Sequence, residues 1–142
     1  MNNNMKVIFD AKSINEGFAR MAVASFMAQL NPTIEQLDDV KTAVSEAVTN
    51  SIVHAYSDND KQVELDCKYD GNMLTIKIID NGIGIEDVEK AMQPFFTTKE
   101  EFERTGMGFT FMQTFMDEVE VTSKINHGTC VIMKKYIESS EV

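Results

Sequence analysis

The sequence predicts an α+β fold: a two-layer α/β sandwich whose mixed, mostly antiparallel sheet carries helices on one face. Three observations predict it. Val63, Leu65 and Cys67 alternate with Glu64, Asp66 and Lys68, and Leu74, Ile76 and Ile78 alternate likewise, which is the period of strands with one wet face. Asp70-Gly-Asn72 joins those two runs as a hairpin turn. Ile34, Leu37, Val40, Val44, Ala47, Val48 and Ile52 recur at steps of three and four, the period of a helix with one apolar face.

The elements follow in order. Residues 6 to 11, Lys-Val-Ile-Phe-Asp-Ala, read as a first strand. Ser13, with Glu16 three residues on, forms a capping-box pattern and opens a helix that runs to Leu30. That helix is apolar on more than one side, with Phe18, Met21, Val23, Phe26, Met27 and Leu30 among its residues. A domain of this size has little room for a helix buried all round. One of its faces is therefore expected on the sheet and another on a partner chain. Arg20, the only charge between Glu16 and Glu35, reads either as a snorkelling surface residue or as a contact for a protein partner. Asn31-Pro-Thr33 breaks this helix and starts the next, which runs to about Ala55. Ser57-Asp-Asn-Asp60 reads as a turn, followed by strands over 62–69 and 73–80.

Residues 86 to 106 hold a short helical piece, a break at Pro94 and the charged stretch Lys99-Glu-Glu-Phe-Glu-Arg104, and much of this stretch reads as a mobile lid. Met107 to Met116 is apolar and helical. Glu118 to Ser123 and Thr129 to Tyr136 make a closing hairpin across Asn126-His-Gly128. No repeat, low-complexity segment or linker interrupts the chain, so residues 1–142 are expected to form one domain.

Composition narrows the function. A formal net charge of −10 disfavours nucleic acid as a partner, because phosphate contacts need clustered Lys and Arg. The same charge suits a basic protein partner. No apolar run approaches the roughly 18 residues of a membrane span. The start, Met-Asn-Asn-Asn-Met-Lys, lacks the apolar segment of a secretory signal. Cys67 and Cys130 stand alone in β-like stretches, with neither metal spacing nor a disulfide framework, and read as reduced core thiols of a cytoplasmic protein.

Four short motifs carry the chemistry. Glu46 and Asn50 are one turn apart, so they share a helix edge with His54. An amide oxygen such as that of Asn50 suits Mg²⁺, which prefers hard oxygen ligands and keeps several waters. Glu46 is placed to orient or deprotonate a nucleophile. His54 reads as a structural hydrogen-bonder. Asp80 ends a strand and meets Asn81-Gly-Ile-Gly84; its carboxylate can accept a hydrogen bond from an exocyclic amine such as that of adenine, and Gly82 and Gly84 allow close approach of a ligand. Pro94-Phe-Phe-Thr-Thr-Lys99 is placed to hinge a lid, with Thr98, Lys99 and Arg104 near the ligand. Thr105-Gly-Met-Gly-Phe109 opens a helix, where unpaired N–H groups and the helix dipole attract anions. Gly106 and Gly108 would let phosphate oxygens reach those amides, and Thr105, Met107 and Phe109 complete the turn. This is neither a Walker loop nor a dinucleotide fingerprint, for the Gly-Lys-Ser/Thr ending and the Gly-x-Gly-x-x-Gly run after a strand are both missing. Each motif alone also fits an ordinary turn or a solvated helix edge. Their order together spells a nucleoside triphosphate site.

With these motifs in this order, the chain resembles the ATPase/kinase (GHKL) superfamily shared by type II topoisomerase B subunits, heat-shock chaperones, histidine kinases and mismatch-repair MutL proteins. Glu46 to Asn50 matches its asparagine box, Asp80 to Gly84 its first glycine box and Thr105 to Phe109 its second; Pro94 to Lys99 resembles the phenylalanine box of histidine kinases. The resemblance covers nearly the whole chain. The run from Ala43 to Tyr56 is similar to that of the anti-sigma factors with serine kinase activity found in spore-forming bacilli. The resemblance implies a left-handed βαβ-containing sandwich of the Bergerat type that binds ATP with Mg²⁺. It implies a homodimer that holds a sporulation sigma factor inactive and phosphorylates a serine of an anti-anti-sigma antagonist. By motif, Glu46 becomes the base, Asn50 the Mg²⁺ ligand, Asp80 the adenine reader, and Gly82, Gly84, Gly106 and Gly108 the glycines that shape the nucleotide pocket. The second glycine box is short here, Gly-Met-Gly followed by Phe-Thr-Phe, and lacks a third glycine. A histidine kinase catalytic domain and a simple ATP hydrolase are the competing readings.

Overall fold

In a computed structural model of the chain, residues 1–55, 61–93 and 108–140 are described, apart from the side chains of 54 and 55. They form a five-stranded sheet in the order β1-β2-β3-β5-β4, with helices packed on one face. The strands are β1 (Asn2–Asp10), β2 (Gln62–Asp70), β3 (Met73–Asp80), β4 (Glu118–Lys124) and β5 (Gly128–Tyr136). All neighbouring pairs are antiparallel. β3 and β4 therefore run parallel with β5 between them, and the chain crosses from one to the other through α3 (Val88–Ala91) and α4 (Gly108–Phe115).

β1 starts earlier than its apolar residues announce. Asn2, Asn3 and Asn4 pair with Asp70, Tyr69 and Lys68, because ladder hydrogen bonds come from the backbone and need no apolar side chain. The capping box expected at Ser13 and Glu16 does not form. Helix α1 spans Asn15–Met27 with Ile14 at its N-cap and no side-chain cap bond. Ser13 lies in the preceding turn, where its carbonyl accepts the Glu16 N–H at 3.2 Å. The reciprocal cap appears instead at α2 (Ile34–Ala55): the Gln36 N–H donates to Thr33 Oγ1 at 3.1 Å, and the Thr33 N–H donates to Gln36 Oε1 at 3.3 Å. Between the two helices a short 3-10 turn, Ala28–Leu30, ends at Asn31, whose φ of 52° is left-handed and reverses the chain before Pro32.

The core lies between sheet and helices. Leu65, Leu74, Ile76, Ile78 and Met133 on the sheet face Val23 and Met27 of α1, Val40, Val44 and Val48 of α2, and Met112 of α4. Burying each such side chain stabilises the fold by about 1.5–3 kcal/mol. Ala43 and Ala47, both fully buried, keep α2 close to its neighbours. Phe26 also turns inward and packs on Tyr69, ring centroids 5.3 Å apart, while the Tyr69 hydroxyl donates to Gln29 Oε1 at 2.6 Å. The outer side of α1 carries Ile14, Phe18 and Met21, the last two more than half exposed. Lys135 fixes the far end of α4: its ammonium donates to the Phe115 carbonyl at 2.6 Å and lies 4.0 Å from Asp39 Oδ2 of α2. That clamp ties the C-terminal end of α4 to α2 and β5.

Candidate functional site

The predicted site residues among those described fall into two clusters. The first is built where the start of α4 crosses α2. Glu46 and Asn50 project from α2 one turn apart; Asn50 is 6% exposed, and Glu46 is half-buried. Gly108, the first residue of α4, lies directly on both. A Cβ at Gly108 would stand 3.1 Å from Asn50 Nδ2, 3.4 Å from Asn50 Oδ1 and 3.4 Å from Glu46 Oε2. The glycine thus brings the backbone of α4 close to a carboxylate and an amide. Phe109 turns its ring into the core, leaving only its backbone for the site.

The second cluster surrounds Asp80 at the end of β3. The Asp80 side chain is 3% exposed, and its Oδ1 accepts the Gly82 N–H at 2.9 Å, which sets the turn into the glycine-rich loop. Two close approaches hold that loop. Gly84 has φ of 79°, and a Cβ there would collide with the Lys124 carbonyl. Gly128, with φ of 84°, begins β5 so near to β3 that a Cβ would collide with the Asp80 carbonyl. The loop is further tied to the β4–β5 hairpin by the Asn126 N–H, which donates to the Ile83 carbonyl at 2.8 Å. The Ile85 N–H donates to Ser123 Oγ at 2.7 Å.

Sequence reasoning passed over three residues here. Gly128 was read only as part of a hairpin turn. Thr129 pairs with Asp80 in register and is 5% exposed, so its hydroxyl shares the buried face with the carboxylate. Ser123 bonds to Thr129, Oγ to Oγ1, at 2.8 Å. The positive φ of Gly128 is invisible in the letters; a buried threonine opposite a strand-end aspartate is visible only once register is known.

Thr98, Lys99, Arg104, Thr105, Gly106 and Met107, with the whole Pro94–Lys99 motif, lie outside the described residues. Ser57–Asp60 and the His54 side chain lie outside them too. Arg20 sits on the outer side of α1 and pairs with Glu16 at 3.6 Å, separate from both clusters. Among the described residues no helix is long and apolar enough to cross a membrane. No group of three or more His, Cys, Asp or Glu side chains among them is arranged to hold a metal. An amide oxygen such as that of Asn50 can join phosphate oxygens and water around an ion. That is how Mg²⁺ is usually held beside phosphates, and the buried amide beside an open glycine cradle fits it.

Comparison with known proteins follows the same outline. Residues 9–135 match the family described as the histidine kinase-like ATPase domain. The chain is 60% identical over 136 residues to an anti-sigma F factor of Caldanaerobacter subterraneus subsp. tengcongensis, covering 96% of this chain and 95% of that one. It is 58% identical over 139 residues to an anti-sigma F factor of Thermoanaerobacter sp. (strain X514), covering 98% and 97%. It is 54% identical over 137 residues to an anti-sigma F factor of Clostridium kluyveri, covering 96% of each. Among solved structures, the RsbU and RsbW domains of a Mycobacterium tuberculosis protein superpose with a TM-score of 0.67 at 14% identity, covering 95% of this chain and 32% of that one. The catalytic domain of the histidine kinase ThkA superposes with a TM-score of 0.57 at 14% identity, covering 96% and 99%. At that identity the two structures speak to the fold alone.

Proposed function

Because the chain belongs to the histidine kinase-like ATPase family, and within it to the anti-sigma F factors, we propose that it is an ATP-dependent protein serine kinase that also binds and inhibits a sporulation sigma factor. Its substrate would be a serine of the anti-anti-sigma antagonist. The observation that carries the reading is the close approach of Glu46 and Asn50 from one motif and Gly108 from another, Gly108 lying 58 residues after Asn50.

Each residue has a role that its position supports. Asp80 and its glycine loop would read the adenine edge. The amides at the start of α4 would take the phosphates, offsetting the net charge of −10 that otherwise repels ATP. Asn50 would hold Mg²⁺, which supplies charge neutralisation at the phosphates. By motif, Thr98, Lys99, Arg104, Thr105, Gly106 and Met107 would contribute to the same nucleotide site. In the reaction the serine Oγ forms a bond to the γ-phosphorus, the bond from γ-phosphorus to the β,γ-bridging oxygen breaks, and ADP departs. Glu46 receives the serine proton. Phosphoryl transfer asks little covalent chemistry of a protein; alignment and electrostatics dominate.

The partners follow from the surface. The outer side of α1, with Ile14, Phe18 and Met21 exposed beside Arg20, suits a second copy of the chain in a homodimer or a protein partner. Both cysteines are free, which suits a reducing cytoplasm. The test is incubation with γ-labelled ATP, magnesium and a lysate of the source organism. Label on a partner's serine supports the kinase. Label on this chain's own histidine points to a histidine kinase module, and label only in free phosphate points to a hydrolase.

A further inference from the structure

Ser123 makes three contacts with one hydroxyl. It accepts the Ile85 N–H at 2.7 Å, lies 3.0 Å from the Gly128 carbonyl oxygen, and lies 2.8 Å from Thr129 Oγ1. A serine hydroxyl has one proton and two lone pairs. The Gly128 carbonyl can only accept, so at 3.0 Å the Ser123 proton must lie between them; otherwise two oxygens would face each other bare. Both lone pairs then accept, one from Ile85 N–H and one from Thr129. This is the single assignment that makes all three contacts hydrogen bonds. It commits the Thr129 proton to Ser123 and leaves Thr129 Oγ1 with lone pairs alone for anything else. Thr129 stands in register with Asp80 on the buried face of the sheet, so the two groups offered to a ligand at this place are both acceptors.

We propose that Ser123 is a positioning residue for base selection: by fixing the Thr129 hydroxyl as an acceptor beside the Asp80 carboxylate, it makes the site favour a purine edge carrying an amine over one carrying a carbonyl oxygen. Its third bond, to Ile85 N–H, ties the same hydroxyl to the glycine-rich loop, so loop position and hydroxyl polarity are set together. The proposal rests on the nucleotide reading above and refines it. A site that matches a ligand's donors rejects the analogue whose acceptor meets its own acceptors. Without Ser123 the Thr129 hydroxyl is released to turn its proton toward a carbonyl oxygen, and the rejection weakens.

The experiment measures equilibrium binding of ATP and inosine triphosphate, with magnesium, to the wild-type chain, Ser123→Ala, Ser123→Thr and Thr129→Val, with thermal unfolding recorded without nucleotide. The wild type should prefer ATP. Ser123→Ala should lower the ATP-to-inosine-triphosphate ratio by about tenfold, the scale of one hydrogen bond. Ser123→Thr, which keeps the hydroxyl, should restore it. Thr129→Val should lose the same preference, and adding Ser123→Ala to it should change the ratio no further. A Ser123→Ala protein that folds and keeps the wild-type ratio overturns the proposal while leaving nucleotide binding intact. So does a wild type that binds both nucleotides equally. If Ser123→Ala does not fold, Thr129→Val decides, and an unchanged ratio there is equally fatal. A wild type that binds neither nucleotide overturns the proposed function and this inference with it.

Discussion

Gly108 lies against Asn50, so close that a methyl group on the glycine would stand 3.1 Å from the Asn50 amide nitrogen. This contact seats the start of one helix on the edge of another. A Gly108→Ala chain should fold, because the neighbours that must yield are side-chain atoms. The shift of a few tenths of an ångström should nonetheless misplace the amides, the amide oxygen and Glu46 relative to one another. Mg·ATP affinity should fall about tenfold or more, read by calorimetry, with little change in the thermal midpoint. Unchanged affinity would mean that the α4 start is not at the phosphates.

Glu46 and Asn50 should separate on substitution. Glu46→Gln keeps shape and hydrogen bonding but cannot take a proton, so nucleotide binding should persist while phosphoryl transfer drops by a factor of about 10²–10⁴. Asn50→Ala should lose both. A Gln variant that transfers label at the wild-type rate would remove Glu46 from the role of base.

Gly128→Ala should be severe. The substitution needs a positive φ and places a methyl group into the Asp80 carbonyl. Backbone strain alone costs about 1–3 kcal/mol, and the collision with a strand backbone adds to it. Chemical denaturation should show a loss of at least that size, where a similar substitution at the exposed Gly71, which has open space around it, should show only the strain.

Burial, helped by the Asp66 carboxylate, pushes the Cys67 thiol from 9.0 up to about 12. The folded state therefore holds its proton where the unfolded chain has lost it. The stabilisation is fully present below pH 9 and is lost as pH rises towards about 12, with a limiting slope of about 1.4 kcal/mol per pH unit. Comparing denaturation of wild type and Cys67→Ala across that window isolates the thiol: the wild type should lose stability more steeply. Parallel curves would show that the thiol ionises as freely in the fold as out of it.

Phe18 and Met21 point outward, whereas Phe26, eight residues on from Phe18, is buried on Tyr69. On the proposed homodimer, a Phe18→Asp chain should keep its thermal midpoint within a few degrees and elute in gel filtration at half the apparent mass of the wild type. An unchanged elution volume would place the dimer contact elsewhere or deny the dimer.

The sequence by itself determined most of the regular elements and the faces they bury. The alternation of Val63, Leu65 and Cys67 with Glu64, Asp66 and Lys68 fixes a strand and its faces, and β3 falls on the expected residues, 73 to 80. The repeat from Ile34 to Ile52 fixes α2, and with it the shared edge of Glu46 and Asn50. Both are properties of near neighbours along the chain, set by a period of 2 or 3.6 residues. Ser13 shows the reach of that logic: its capping pattern is genuine in the letters, but the turn after β1 carries the residue out of the cap position, and Thr33 takes the role one helix later. Only the tertiary structure decided which distant residues touch. Gly108 reaches Asn50 because α4 packs against α2, and Thr129 faces Asp80 because β5 pairs with β3 in that register. Such contacts depend on packing between segments far apart in the chain, where no local period operates.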